Sequence, residues 1–142
     1  MKRYLALDVG TKTIGVAVSD ELGLTAQGVT TIQRKNFRSA FAELTEIMNR
    51  FETRSLIVGL PKNMNGTEGS QCQSVRDFIR EVQSRIADLE IQFWDERLST
   101  VEATRSLLEA DLSRRKRKQV IDKQAAVIIL QNFLDSLRLR SE

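Results

Sequence analysis

The residues best equipped for chemistry are acids at the ends of apolar runs, in a chain that has no histidine. Asp8 closes the run Tyr4–Asp8. Gly10 follows and permits a tight turn, which leaves a carboxylate at a strand terminus facing a crevice. Asp95 and Glu96 stand between the run Ile91–Trp94 and a helix-start signal, so both can project into one cleft. Asp122 lies one turn before Ala126 and seven residues before Ile129, on the core-facing side of a final helix. Carboxylates from three separated elements can form one oxygen-ligated site for Mg²⁺ or Mn²⁺, holding one or two ions. Such a site would polarise a phosphodiester, activate water and stabilise a leaving oxygen. Each acid also has a purely structural use. Asp8 can start a turn, Asp95 and Glu96 can pair with Arg97 or a helix N-terminus, and Asp122 can cap a helix.

The missing histidine excludes Ser-His-Asp and Cys-His nucleophiles and His-ligated zinc. The single Cys72 makes neither an internal disulfide nor a multi-cysteine metal site. The 142 residues, 41% hydrophobic and 29% charged, fit one globular domain spanning 1–142. The net charge of +3 hides an asymmetry. Residues 1–112 carry a net −2 and residues 113–142 a net +5, so the basic excess is local, as in a nucleic-acid patch. Arg114, Arg115, Lys116, Arg117 and Lys118 make most of it, either as a phosphate-holding segment or as a solvated loop. No run approaches the ~20 apolar residues of a membrane span. Lys2 and Arg3 with Asp8 leave no apolar signal region, so a cytoplasmic, reducing location is expected.

The elements that must position these acids follow from periodicity. Tyr4–Asp8, Thr13–Ser19 and Gln27–Ile32 read as strands, the first two as a hairpin. Phe37, Phe41, Leu44, Ile47, Met48 and Phe51 recur at helical spacing behind Asn36 as N-cap. Ser55–Leu60 is a buried strand stopped by Pro61. The loop 62–69 contains the turn signal Asn65-Gly66. Ser70 to Gln73 has capping-box spacing and begins a second helix. Ile91–Trp94 is the fifth strand. Ser99 to Glu102 is another capping box, for a helix reaching about Ala110. A mobile basic loop at 113–118 precedes a last helix from near Asp122. A hairpin meander followed by α/β alternation implies a five-stranded mixed α/β sheet with helices on its faces.

Tyr4–Lys12, Val58–Thr67, Asp95–Thr100 and Ser113–Ala126 with Ile129-Leu130-Gln131 together resemble the YqgF (RuvX) family over nearly the whole chain. The resemblance implies a ribonuclease H-like fold related to the RuvC resolvases. It implies a nuclease that resolves Holliday junctions or matures the 5′ end of small-subunit ribosomal RNA precursor, with pre-ribosomal particles as partners. Carried over, Asp8, Glu96 and Asp122 would be the catalytic and metal-ligating acids, with Asp95 the weaker candidate beside Glu96. Lys12, Lys62, Asn63, Thr67 and Arg97 would line the cleft and contact nucleic acid. Related nucleases often place an acid near the strand ending Gly59-Leu60-Pro61, which here has none, and Asn65 stands where some relatives have Asp. Symmetric junction resolution would favour a homodimer, but no segment announces an interface, so monomer and homodimer both stay open.

Two other readings compete. Asp8–Lys12 also resembles the first phosphate loop of the actin and sugar-kinase ATPases, but those close two domains around ATP and this chain has length for one. A non-catalytic module could instead hold precursor rRNA through the basic segment.

Overall fold

The computed structural model describes residues 2–98 and 114–141, except the side chains of 114–123, 140 and 141. The strands are β1 (Leu5–Val9), β2 (Thr13–Ser19), β3 (Ala26–Gln33), β4 (Ser55–Leu60) and β5 (Glu90–Asp95). The helices among the described residues are α1 (Phe37–Arg50), α2 (Ser70–Gln83) and α3 (Arg114–Ser141), with a single 3-10 turn at Glu96–Leu98. The sheet order is β3-β2-β1-β4-β5. β1 pairs antiparallel with β2, and β2 with β3, because turns of a few residues join them. β1–β4 and β4–β5 are parallel, because a helical crossover separates each newcomer from its predecessor.

Alternation along the strands sorts the core into two layers. Leu5, Leu7, Val9, Val16, Leu56 and Val58 point to one face and pack against Leu44 and Met48 of α1 and Val75 and Ile79 of α2. Ala6, Ala17 and Ile57 point to the other and meet Ala126, Ile129, Leu130 and Phe133 of α3. Each fully buried Leu, Ile or Phe is worth roughly 1.5–3 kcal/mol against exposure, so both layers bind their helices firmly. The small Ala6 and Ala17 let α3 lie close to the sheet centre. Asp8 shares their face, two residues beyond Ala6.

The course of α3 matters for the site. Its Ile129 reaches Gly59, near the end of β4, whereas Gln131 holds the hairpin at the opposite end through Ala26 N and Leu24 O. The helix therefore descends from the Asp8 end of the sheet towards the β2–β3 hairpin. Asp122, two turns before Ile129, belongs to the upper part of that helix.

The element order agrees with the periodicity, while several boundaries differ: β3 and β5 each run one residue further at both ends than Gln27–Ile32 and Ile91–Trp94, and β1 is shifted by one residue from Tyr4–Asp8. β1 ends at Val9, since the pair Val9–Ile14 extends the ladder by one residue. The capping box at Ser70 does not form. Gly69 is the N-cap, in extended backbone with no side-chain cap bond, and Ser70 is already helical. The largest correction concerns the basic run. Arg114–Lys118 is the first part of α3, not a loop, and the helix starts eight residues before Asp122. Arg and Lys are good helix formers, and like-charge neighbours cost only a few tenths of a kcal/mol each. An anchored downstream helix can extend through them. The helix expected from Ser99 to Ala110 lies outside the described residues.

Candidate active site

Two strand ends build the site. β1 delivers Asp8, and the chain turns at once. Gly10 N donates to Thr13 O at 2.8 Å, and a Cβ on Gly10 would stand 3.0 Å from that same oxygen, so the turn needs glycine. Beyond β5 the 3-10 turn opens with Glu96. Asp8 and Glu96 are each 8% exposed, yet both line one cleft of about 240 Å³. Lys12, Thr13, Gln71 and Ser74 share its wall. Burying two carboxylates on a polar cleft carries a desolvation cost that polar or charged surroundings must offset.

β4 makes the approach possible. A Cβ on Gly59 would come within 3.3 Å of Glu96 Cδ and Cγ and 2.7 Å of Ile129 Cδ1. Glycine within a strand signals such a close approach. The strand end that lacks an acid is thus the floor on which the β5 acid rests. Trp94 steadies that end of β5 by packing edge-on against Phe133 of α3 at 6.2 Å between ring centroids.

Asp95, adjacent in sequence, is used differently. It pairs with Arg97, whose Nη2 donates to Oδ2 at 2.6 Å while the Arg97 backbone N donates to Oδ1 at 3.0 Å. The Arg97 guanidinium holds the Asp95 carboxyl below the usual carboxylate range, against an opposing effect of burial, and its own pKa is raised in return. Arg97 Nη1 also donates to Met64 O at 3.2 Å and abuts Gly66, which adopts φ +87° in the Asn65-Gly66 turn. Arg97 therefore straps the 62–69 loop to the end of β5.

That loop is tied down elsewhere too. Asn63 Nδ2 donates to Thr67 Oγ1, and Asn65 Oδ1 accepts from Thr67 N and Oγ1. Arg76 grips Glu68 through Nε at 2.7 Å and Nη2 at 2.8 Å, which lowers the Glu68 pKa and raises that of Arg76. Among the phosphate-binding residues expected from sequence, Lys12 lines the cleft. Lys62 follows the cleft residue Pro61 and lies within electrostatic reach of Glu68 and Asp95. Asn63 and Arg97 spend polar atoms on the loop itself. The side chains of Asp122 and Arg114–Lys118 lie outside the described residues.

The structure thus brings Asp8 and Glu96 together and separates Asp95 from them. Among the described residues no group of three potential metal-ligating side chains gathers. Thr11, Thr13, Gln71 and Ser74 are cleft residues that the sequence does not mark. Gln71 and Ser74 are one turn apart at the start of α2, and a polar helix face looks the same in sequence whether it meets water or a cleft.

Comparison with known proteins gives the family and the fold. The profile of the RuvX family, described as Holliday junction resolvase, covers residues 2–136. A Moorella thermoacetica protein described as "Putative pre-16S rRNA nuclease" is 57% identical over 135 residues, 95% of this chain and 96% of its own. A Clostridium botulinum protein of the same description is 53% identical, covering 95% and 98%. Among solved structures, the RuvC of T. thermophilus in complex with Holliday junction substrate aligns with TM-score 0.58 over 96% of each chain, at 13% identity. That likeness establishes a RuvC-like, ribonuclease H-like fold. With a family profile spanning almost all of it and relatives above half identity along its length, the chain belongs to the RuvX (YqgF) family.

Proposed function

We propose that this protein is a divalent-metal-dependent nuclease that hydrolyses phosphodiesters in the precursor of small-subunit ribosomal RNA, working on pre-ribosomal particles in the cytoplasm. The observation that carries the reading is the meeting of Asp8, from β1, and Glu96, from the turn just beyond the non-adjacent β5, in one cleft with Lys12. The names of the curated relatives supply the substrate. Among the described residues no helix is long and apolar enough to cross a membrane.

The donor set fits a hard divalent ion. Both cleft acids offer oxygen, and neither nitrogen nor sulfur ligands accompany them. Asp8 and Glu96 would hold Mg²⁺ or Mn²⁺, and Asp122 would be the third donor. When bound, the ion supplies Lewis-acid activation of the phosphodiester. The chain's own groups do the rest. Lys12 brings a cation beside the two acids and offsets phosphate charge. Gly10 and Thr13 fix the turn that carries Lys12 on the wall of the cleft. The Arg97 strap holds the loop beside the cleft.

The test compares wild type with Asp8→Asn on precursor rRNA and on branched DNA, with Mg²⁺ or Mn²⁺, using protein from a nuclease-deficient host. Wild type should cleave the precursor rRNA, and the variant should lose about a hundredfold or more, the scale set by removing one preorganised electrostatic interaction. Equal cleavage by both proteins would refute the carboxylate mechanism. Cleavage confined to branched DNA would move the substrate to the junction named in the family description.

A further inference from the structure

A second groove, of about 550 Å³, opens beside the catalytic cleft. Thr11 and Ser74 line both, so the two recesses meet between the β1–β2 turn and the N-terminal part of α2. Its size is that of an ordinary small-ligand pocket. The groups it presents are mixed. The half-buried Arg34 lies with its guanidinium carbon 4.8 Å from the Phe78 ring centroid. Its Nη1 donates to Gly10 O at 2.5 Å, and its backbone N donates to Lys12 O at 2.8 Å. Gln73, Asp77 and Glu81, on successive turns of α2, form the opposite rim, and Gln73 Nε2 donates to Asp77 Oδ1 at 2.8 Å.

We propose that this groove is a nucleobase subsite for the single-stranded nucleotide that leaves the catalytic cleft. The inference rests on the nucleic-acid reading above. The rim carboxylates are paired along α2, Asp77 with Arg80 Nη1 at 3.2 Å and Glu81 with Arg85 Nη2 at 3.5 Å, so the rim offers no net positive charge to a phosphate; the backbone belongs in the cleft with Lys12 and the base in the groove. Asp and Glu accept from the exocyclic amino groups of bases, and Gln pairs with a base edge in two-point fashion. Bases splayed from a single strand stack on aromatic rings and on arginine planes. Arg34 is held in place by Phe78 and by Gly10 O, so little of its freedom is lost when a base lies on it. A base there also touches the residue that braces the Asp8 turn, which links occupancy of the groove to the geometry of the cleft.

The experiment measures fluorescence anisotropy of the wild-type protein with a short labelled single-stranded RNA and with a series carrying one abasic nucleotide at each position in turn, in Ca²⁺. One abasic position should weaken binding about tenfold, the scale of removing a base stack. The double variant Gln73→Ala, Asp77→Ala changes exposed side chains only, so its thermal melt should overlay wild type while that discrimination disappears. Equal binding of every abasic strand by wild type overturns the subsite, as does a double variant that still discriminates. Failure of wild type to bind the intact RNA at all would instead remove the nucleic-acid reading on which it stands.

Discussion

Gly59 lies directly under the Glu96 side chain, close enough that the first atom of any side chain at 59 would come 3.3 Å from the Glu96 carboxyl carbon. The same atom would come 2.7 Å from Ile129 Cδ1, so strand, acid and helix converge on a position with no room for a methyl group. Gly59→Ala should cost about 1–3 kcal/mol through overpacking, softened because Ile129 Cδ1 is the movable end of a side chain. It should also displace Glu96 and weaken divalent-cation binding. Urea unfolding with a calorimetric Mn²⁺ titration checks both. Wild-type stability and affinity in this variant would show that the close packing has slack.

Glu96 and Asp95 can be told apart by what each holds. Glu96→Gln should abolish or strongly weaken calorimetric divalent binding, because it removes one of the two cleft carboxylates. Asp95→Asn should leave that affinity within a few-fold of wild type, since Asp95 is engaged with Arg97. The reverse ranking would reassign the ligand.

The Asp95–Arg97 pair also predicts a pH dependence. The folded-state pKa of Asp95 is depressed, chiefly by the Arg97 hydrogen bond. Its stabilisation is therefore fully present above the unfolded Asp value, about 3.9, and is lost as pH falls through the lower folded value. Glu68 and Glu90 are depressed as well, by Arg76 and Lys2, so wild type alone shows their sum. The difference between wild type and Asp95→Asn isolates one pair. Urea midpoints should differ near pH 7 and draw together towards pH 3. A gap that is constant across the range would mean that the pair contributes no linkage.

The start of α3 can be tested without destroying the helix. Replacing Arg114, Arg115, Lys116, Arg117 and Lys118 by Gln keeps helix propensity and removes charge. If these residues bind phosphates, the slope of log affinity against log salt should flatten by about 0.7 for every single-strand phosphate that is no longer neutralised. Circular dichroism should report unchanged helix content. An unaltered slope would reduce the run to a solvated helix end.

Much of the fold is legible in the sequence because its signals are local. Thr13–Ser19 and Ser55–Leu60 have the bounds their alternation and Pro61 predict, and Asn36 caps α1 through Ser39 N as its residue type suggests. The start of α3 is not legible in this way. A run of like charges reads as loop, while in the protein it continues a helix whose later turns are anchored on Ala6, Ala17 and Ile57. The groove beside the cleft is hidden for a similar reason, because Gln73 and Asp77 look solvent-facing until the chain leaving β3 brings Arg34 against Phe78.

By itself the sequence determined the chemistry available: oxygen donors, no histidine, a glycine after Asp8 that permits a tight turn, and the residue patterns shared with the RuvX family. Only the tertiary structure decided which acids meet. Asp95 and Glu96 are neighbours along the chain, but Asp95 closes β5 and pairs with Arg97, whereas Glu96 opens the 3-10 turn and lines the cleft. The register of β4 beside β5 then puts a glycine where Glu96 must pass, and that placement depends on pairing between distant segments.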